Sequence, residues 1–353
     1  MRLLGSSGLS AALLVLVTSL ALPSCSGPEP DLVVYTAVDQ EHAERIIRKF
    51  QDDHPDLVIV PVFDVEANKT IGLVDDIRRE AHAPRCDVFW NNEIANTIAL
   101  ADEGLLAPYD SPSAADIPER FRDPEHRWTG IAMRARCIIL NEDRMRELGA
   151  TPEHLPDRFM DLLEGDWAGH GALARPLSGT TLTHLAVLYE KLGFEQGHAL
   201  AERLYAANVD GELDLVSGNG PLMRKVGDGQ AAWGFTDTDD FNVGRIRGYP
   251  VSRVFADQGE DGIGTLVIPN AVSIVANCRH PELAKEFVDF LLSKEVEAML
   301  AAGDSAQIPT RDDVPRPDHV PNLRDVKVMD VDWVAVGRNL PRVHEDLKKI
   351  FLR

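Results

Sequence analysis

The run WTGIAMRARCIILN, residues 128–141, is apolar almost throughout and carries Arg134 and Arg136 two positions apart. It is more than twice as long as an ordinary strand of about 5–6 residues, and residues two apart lie on the same face of a strand. A strand of this length is long enough to cross from one lobe to another. A second long strand pattern, GTLVIPNAVSIVAN at residues 264–277, is placed to return the chain. We therefore predict two lobes joined by two crossover strands.

Short apolar strands alternate with amphipathic helices before this crossing. The strand patterns lie at residues 31–35, 57–63 and 86–90, and the helical patterns after them lie at residues 41–51, 71–81 and 94–103, with Thr70 as a predicted N-cap. This alternation predicts a mostly parallel α/β sheet. Ligands bind at the carboxyl ends of the strands of such a sheet. The polar loops there are therefore candidates for a site, namely residues 36–39, 64–69 and 91–93.

A cluster of carboxylates follows another apolar strand pattern, in GQAAWGFTDTDD at residues 229–240. The apolar residues lead directly into Asp237, Asp239 and Asp240. Three carboxylates this close repel one another unless they are solvated, hydrogen-bonded by N–H groups or neutralised by a cation. The pattern leaves two interpretations open. One is a solvated turn in which Asp239 or Asp240 caps the next helix, and the other is an acidic ligand site at the end of a strand.

Two small polar loops also precede helix patterns, and the first of them follows a short strand pattern at residues 173–176. LSGTT at residues 177–181 precedes a predicted helix at residues 182–192, and VSGNG at residues 216–220 precedes a shorter one. Backbone N–H groups and hydroxyls at such turns bind anions. On spacing alone, N-capping by Thr180 or Thr181 explains the first loop equally well.

The composition and the N-terminus limit the class of protein. The 353 residues carry a formal net charge of −21, which gives no electrostatic support to nucleic-acid binding. Residues 1–24 have the pattern of a signal peptide, and Cys25 stands where a bacterial lipoprotein is lipidated, with a plain secretory signal as the alternative. Residues 25–30 predict a tether at a membrane. The remaining cysteines are expected to be buried free thiols, namely Cys86, Cys137 and Cys278.

Several short segments, in their order and spacing, resemble those of a known family. They are LVVYT at residues 32–36, DVFW at 87–90, EGLLAPY at 103–109, WTG at 128–130, RAR at 134–136, PLSG at 176–179, GQAAWG at 229–234 and QIP at 307–309. Together they resemble the substrate-binding proteins of ABC importers, in the branch of the periplasmic ferric-ion-binding proteins. The resemblance covers nearly all of the mature chain.

This resemblance implies an α/β, two-lobed periplasmic-binding-protein fold of type II, which closes over its ligand like a hinged trap. Lobe 1 would comprise residues 31–132 and 268–310, lobe 2 residues 133–267, and a C-terminal helical segment, residues 311–353, would pack on both. The implied partners are an ABC permease and its ATPase. The implied protein is a monomer and not an enzyme, held by a lipid anchor in the periplasm or at the cell surface.

The resemblance also assigns positions for a metal ligand set, and several of the family's residues are replaced there. The first-loop histidine position falls on Asp39, and the carboxylate position of the third-strand loop falls on Asn92, with Glu93 beside it. The two tyrosine positions fall on Asp239 and Asp240. Because phenolate ligands suit ferric ion, their loss weakens the expectation of iron. A set of four carboxylates for a hard metal ion remains, namely Asp39, Glu93, Asp239 and Asp240.

The family's companion anion site falls on Ser178, Thr180 and Asn219, with Asp237 in place of an amide. Related branches bind organic phosphates, phosphonates or sugar phosphates. They place hydroxyls and helix N-termini on the phosphoryl group, and carboxylates on hydroxyls or an amine. The predicted binding residues are therefore Thr36, Asp39, Asn92, Glu93, Arg134, Ser178, Gly179, Thr180, Thr181, Asn219, Asp237, Asp239 and Asp240.

Three kinds of function follow from these patterns. The first is capture of a metal ion, with a synergistic anion, for an ABC importer, placed slightly ahead of a phosphorylated or phosphonate molecule such as a sugar phosphate. The second is an exported hydrolase with paired carboxylates, for which the chain offers no GxSxG or HExxH motif. The third is the sensor domain of a membrane receptor. Arg134 and Arg136 would contact an anion or, as we favour, brace the hinge through carboxylates.

Overall fold

The computed structural model describes residues 29–64 and 71–353. The predicted signal peptide, the lipidation site Cys25, most of the tether, most of the loop at residues 64–69 and the predicted N-cap Thr70 lie outside the described residues. Within the described part of the chain, no helix has the length and apolar character needed to cross a membrane.

The strands form two mixed sheets that share one long strand. They are β1 (Leu32–Thr36), β2 (Ile59–Phe63), β3 (Val88–Asn91), β4 (Leu106–Ala107), β5 (Thr129–Asn141), β6 (Gly171–Ala174), β7 (Asp214–Val216), β8 (Trp233–Asp237), β9 (Val251–Val254) and β10 (Val267–Val275). In the first sheet β1 lies parallel between β2 and β3, and β10 runs antiparallel to β3, β4 and β5. In the second sheet β6 lies parallel between β7 and β8, and β5 runs antiparallel to β8 and β9.

The shared strand β5 makes the crossing that the sequence predicts. Its residues as far as Ala135 pair with β10, and from Arg136 onward they pair with β8 and β9. All of its residues are buried. The second predicted crossover strand is shorter than expected, because β10 starts at Val267 and pairs only with the first sheet and the first part of β5 in the described chain. Gly264 has a φ of +87°, a left-handed conformation that no regular strand contains.

Helices cover both sheets. They are α1 (Gln40–Asp53), α2 (Ile71–Arg79), α3 (Ala95–Asp102), α4 (Glu142–Glu147), α5 (Gly179–Leu192), α6 (Phe194–Val209), α7 (Asn219–Gly227), α8 (Thr238–Ile246), α9 (Pro281–Leu291), α10 (Lys294–Ala302) and α11 (Trp333–Phe351). Helix α11 packs on α3 of the first sheet and on α5 and α6 of the second. It therefore ties the two halves together on the side formed by those helices. The exact lobe boundaries stay a prediction.

The structure corrects several expectations about elements of the second sheet. The carboxylate-bearing strand extends to Asp237, and Asp237 and Asp239 are buried, so the solvated turn is wrong. The N-cap of α8 is Asp237, not Asp239 or Asp240. Helix α5 begins at Gly179, which places Thr180 and Thr181 inside its first turn and leaves Ser178 as the N-cap. The sequence patterns also missed α6, β7 and β9.

The described cysteines form no disulfide. Cys86 and Cys137 are buried, as expected, and Cys278 is half-buried. Burial raises the pKa of all three thiols, for Cys278 to about 11. They therefore carry little thiolate at neutral pH.

Candidate ligand-binding cleft

The candidate site lies where three strands of the second sheet end and three helices begin. Helices α5 and α8 follow β6 and β8 after short turns or directly, and α7 follows β7 in the same way. Their N-termini meet because β6, β7 and β8 are parallel neighbours. The N-cap of α5, Ser178, makes no side-chain capping bond, and the N-cap of α7, Gly218, has no side chain to make one. The first backbone N–H groups of these two helices therefore have no partner within their helices.

A cavity of about 70 Å³ lies against these helix ends and faces the first sheet. At about 10–15 Å³ for each water centre, it holds roughly five water molecules or a compact polar group. Its lining combines residues of both sheets, namely Asp39, His42, Asn92, Arg134, Ala174, Arg175, Ser178, Gly179, Thr180, Thr181, Ser217, Gly218, Asn219, Gly220, Asp237, Asp239, Asp240, Val243 and Ser305. A larger cavity of about 450 Å³ adjoins it and shares Asp39, His42, Gly220, Asp240 and Val243 with it.

One wall of the cavity is a buried network around Arg136 and Asp237. Arg136 Nη1 lies 2.6 Å from Asp237 Oδ1, and both side chains are almost fully buried. Thr180 donates its hydroxyl to Asp237 Oδ2 at 2.5 Å and accepts from Arg136 Nη1 at 3.1 Å. Asn219 Nδ2 donates to both Thr180 Oγ1 and Asp237 Oδ2 at 2.8 Å. The Thr180 hydroxyl and the Asp237 carboxylate are thus committed to the wall of the site.

A second ion pair, between Arg134 and Asp239, stands at the edge of the cavity between the two sheets. Arg134 Nη1 lies 3.1 Å from Asp239 Oδ2, and Arg134 Nη2 donates to Asn270 Oδ1 of β10 at 3.1 Å. Burial alone would lower the pKa of the Arg134 guanidinium, but nearby aspartates, Asp239 foremost, raise it overall. Arg134 is therefore charged and holds a helix of the second sheet against the first.

The three aspartates of residues 237–240 come together as a group. Asp237, Asp239 and Asp240 each place a carboxylate oxygen within 4.8 Å of the others. Three clustered oxygens are a ligand set that a hard cation accepts. The group thus contains Asp237 beside the expected Asp239 and Asp240. Asp39 lines the same cavity, and its role as a metal ligand stays a prediction.

Glu93 has a different role in the structure from the one expected at a metal site. Its carboxylate accepts bonds from Asn91 Nδ2 at 2.9 Å, from Ala95 N at 2.8 Å and from Asn96 Nδ2 at 2.8 Å, so it caps the start of α3. It also accepts from Thr183 Oγ1 of α5 at 3.0 Å. Burial raises the pKa of this carboxyl group against the opposing effect of these bonds. Glu93 joins the two halves and does not line the cavity.

All of the other predicted site residues line the cavity, with one exception. Thr36 is fully buried outside the lining, and its hydroxyl accepts from Val38 N at 3.1 Å. The sequence patterns missed Arg175, His42 and Ser305 as lining residues. Arg175 follows a strand end and was findable by the strand-end rule, whereas His42 and Ser305 carry no local signal.

A two-sheet protein that shares a crossing strand and encloses a polar cavity between its halves has the architecture of a ligand trap. Residues 97–335 match the family model described as "Bacterial extracellular solute-binding protein". The chain belongs to that family, whose members are binding proteins.

Relatives with assigned and unassigned ligands support the same class. An uncharacterised protein of Haemophilus influenzae is 26% identical over 339 residues, which cover 93% of this chain and 92% of that protein. Iron uptake protein A1 of Synechocystis is 24% identical, over a match that covers 83% of this chain and 82% of that protein. A putative 2-aminoethylphosphonate-binding periplasmic protein of Salmonella typhimurium is 24% identical, over a match that covers 77% of this chain and 79% of that protein.

Solved structures share the fold. The periplasmic binding protein AfuA of Actinobacillus pleuropneumoniae, with fructose-6-phosphate bound, superposes with a TM-score of 0.78 at 21% identity, covering 91% of this chain and 99% of that one. Iron-bound HitA of Pseudomonas aeruginosa superposes with a TM-score of 0.76 at 20% identity, covering 90% and 98%. The fold is therefore the type II periplasmic-binding-protein fold, and the resemblance read from the sequence is confirmed.

Proposed function

We propose that this protein is the substrate-binding component of an ABC importer and that it captures a small molecule ending in a phosphoryl group, a phosphate ester or a phosphonate. The observation that carries this proposal is the meeting of two helix N-termini, α5 and α7, at one cavity without side-chain caps. Unpartnered N–H groups and aligned peptide dipoles make such ends binding sites for phosphoryl oxygens. Ser178, Ser217 and Thr181 line the same space, and the Thr181 hydroxyl is already bonded to Arg136 Nη2 and Asn219 Oδ1.

The two adjoining cavities match a ligand with a compact anionic end and an organic remainder. The phosphoryl group would occupy the 70 Å³ cavity, and the remainder would extend into the 450 Å³ cavity through the region that they share. Asp39 and Asp240 line both. Carboxylates there suit hydroxyl or amine groups. AfuA with fructose-6-phosphate and the aminoethylphosphonate-binding relative are named for ligands of this kind.

A hard metal ion with an anion is the second candidate, and the three-carboxylate group favours it. Relatives and structures named for iron share the family and the fold. Two features weigh against it. Asp237 and Asp239 already pair with the positive charges of Arg136 and Arg134, and no tyrosine lines the cavity in the described residues. We therefore place a phosphoryl ligand ahead of a metal ion, whereas the sequence placed the metal ion first.

The remaining expectations complete the proposal. We propose a periplasmic location with a lipid anchor at Cys25, a monomeric state, and a permease and ATPase as partners. A sensor domain would use the same trap. Catalysis by paired carboxylates gains no support, because the buried carboxylates hold arginines and helix ends and the family is one of binding proteins.

Calorimetry on the purified protein, with fructose 6-phosphate, 2-aminoethylphosphonate and ferric citrate as probes, tests the proposal. Native mass spectrometry with elemental analysis of protein purified without chelator accompanies it. We expect a phosphoryl compound to bind and to raise the melting temperature, and iron to be absent. No response to either phosphoryl probe would contradict the proposal, and stoichiometric iron in the same protein would transfer it to the metal ion.

A further inference from the structure

The arginines at the 70 Å³ cavity differ in whether their charges are already paired with a carboxylate. Arg134 is held by Asp239 and Asn270, and Arg136 lies behind the wall in its pair with Asp237. Arg175 differs from both: it is exposed and lines the cavity. Within residues 29–64 and 71–353 its side chain makes no ion pair.

The backbone fixes the place of Arg175 in the fold. It directly follows Ala174, the last residue of β6, and its N–H donates to Val216 O at 2.8 Å. That bond holds it beside the loop that opens α7. Pro176 follows, with a φ that its ring restricts. Between the starts of α5 and α7, an anchored backbone therefore carries a side chain that forms no ion pair with the described residues.

We infer that Arg175 binds the second negative charge of a terminal phosphoryl group, so that the site prefers dianionic phosphomonoesters and phosphonates to carboxylates and phosphodiesters. This inference rests on the proposed function. A helix N-terminus acts as about half a positive charge, so α5 and α7 together balance about one negative charge. The N-terminus of α8 already has Asp237 at its cap and Asp239 and Asp240 in its first turn. The charges of Arg134 and Arg136 are offset by their aspartates. The second charge of a dianion is therefore left to Arg175.

A guanidinium suits this task because its forked donors match the geometry of phosphoryl oxygens. An exposed and unpaired arginine at the edge of a cavity also remains accessible until the ligand arrives. Ligand binding would then order the side chain, so that Arg175 closes over the phosphoryl group from the side of the loop at residues 217–220.

The test compares Arg175→Gln and Arg175→Lys with the wild type, by titration with fructose 6-phosphate at about pH 5 and about pH 8. The second pKa of a phosphomonoester is about 6, so the ligand is mainly a monoanion at the first pH and a dianion at the second. We expect Arg175→Gln to lose about tenfold in affinity at about pH 8, as for one charge-assisted hydrogen bond, and to lose little at about pH 5. Arg175→Lys should recover part of the loss.

Other titratable groups face the same space, namely Asp39, His42, Arg134, Asp237, Asp239 and Asp240. They are present in every variant, so the comparison of variant with wild type at each pH removes the part of their titration that does not depend on Arg175. Arg175→Lys keeps the positive charge and therefore controls for the remainder. Arg203→Gln supplies the matched control, because Arg203 is an exposed arginine on α6 whose contact is Glu164. It makes the same change in net charge away from the cavity.

The outcomes separate this inference from the proposed function. If the wild type binds fructose 6-phosphate and Arg175→Gln binds equally well at about pH 8, the inference is wrong and the proposed function stands. An equal loss at both pH values overturns the selection of the dianion, since Arg175 would then only shape the loop. If the wild type binds neither fructose 6-phosphate nor 2-aminoethylphosphonate, both proposals fall together.

Discussion

Two arginine–aspartate pairs stand at different depths in this protein, with the arginines two positions apart on β5 and the aspartates two positions apart where β8 leads into α8. Arg136 and Asp237 are fully enclosed, with side-chain exposures of 0% and 1%, whereas Arg134 and Asp239 retain 8% and 10%. The first pair lies within the second sheet, where β5 and β8 are neighbours. The second stands at the junction of the two sheets and touches β10 through Asn270.

The difference teaches how one acidic stretch serves both the scaffold and the site. The Asp237 carboxylate accepts from Arg136, Thr180 and Asn219, and a carboxylate so fully hydrogen-bonded belongs to the framework. Asp239 lies at the edge, in the first turn of α8 and two residues after Asp237, where a ligand or a movement of the two halves reaches it. We therefore expect changes at Asp237 to act on stability, and changes at Asp239 to act chiefly on binding.

The largest expected effect is on folding, from Asp237→Asn. The change leaves the Arg136 charge buried without its counter-ion, which typically costs about 3–5 kcal/mol. Urea unfolding followed by circular dichroism measures the loss. Asp239→Asn is the matched comparison, and its expected cost is about 1.5–3 kcal/mol, as for one hydrogen bond to a charged group. Equal losses of unfolding free energy in the two variants would contradict the difference we expect between Asp237 in the framework and Asp239 at the edge.

The next effect is on ligand binding, from Asp239→Ala combined with Asp240→Ala. We expect affinity for the phosphoryl probes to fall by about a hundredfold or more, since two charged hydrogen-bonding groups are removed, while the fold remains. Calorimetry measures the affinity. Asp210→Ala with Asp228→Ala is the control, because both residues are exposed and the change in net charge is the same. Unchanged affinity in the first double variant would remove these aspartates from the site.

The contrast between the two pairs shows what the sequence predicts and what it leaves out. Of the loops that the strand-end rule marked in the first sheet, Asp39 and Asn92 line the cavity, because parallel neighbours bring their following loops to one edge. The resemblance supplied most of the other predicted residues that line it. The strand-end rule did not distinguish Asp237 from Asp239, since depth depends on Arg136, which is 101 residues away from Asp237. The sequence did not predict that Glu93 links the two halves, for the same reason: its partner Thr183 is 90 residues away.

The fold shows the same division between local and distant causes. Helices α1 and α2 lie within two residues of their predicted bounds, 41–51 and 71–81, because their apolar periodicity is local. Helix α6 was missed, and its interior Gly197 opposes a helix by propensity. In the structure a Cβ at Gly197 would lie 2.5 Å from Tyr189 Cγ, so the glycine permits α6 to pack closely against α5. Only the tertiary packing shows that need.

A smaller effect is expected from Thr180→Ala, which tests whether the Thr180 hydroxyl belongs to the framework around Arg136 and Asp237 or contacts the ligand. The hydroxyl donates to Asp237 and accepts from Arg136 and Asn219, so its loss should cost about 1–3 kcal/mol of stability. Affinity for a phosphoryl probe should fall only through the loosened wall. Thr180→Ser keeps the hydroxyl and should restore both. If Thr180→Ala weakened binding strongly without any loss in urea unfolding, the hydroxyl would belong to the ligand instead of the wall.

The smallest expected effect is a pH dependence from His184, which lies against the framework pair. Burial, and then the charge of Arg136, hold the pKa of this histidine well below its usual value, and its ring packs between Phe159 and Phe235. The unfolded chain takes up a proton below about pH 6.5 while the folded protein does not. The stability that His184 contributes is therefore present above that pH and falls on acidification, by up to about 1.4 kcal/mol per pH unit. Urea unfolding at about pH 7.5 and about pH 5.5 measures this slope, and His184→Phe should reduce it. An identical slope in the variant would show that the acid sensitivity lies outside the framework around Arg136.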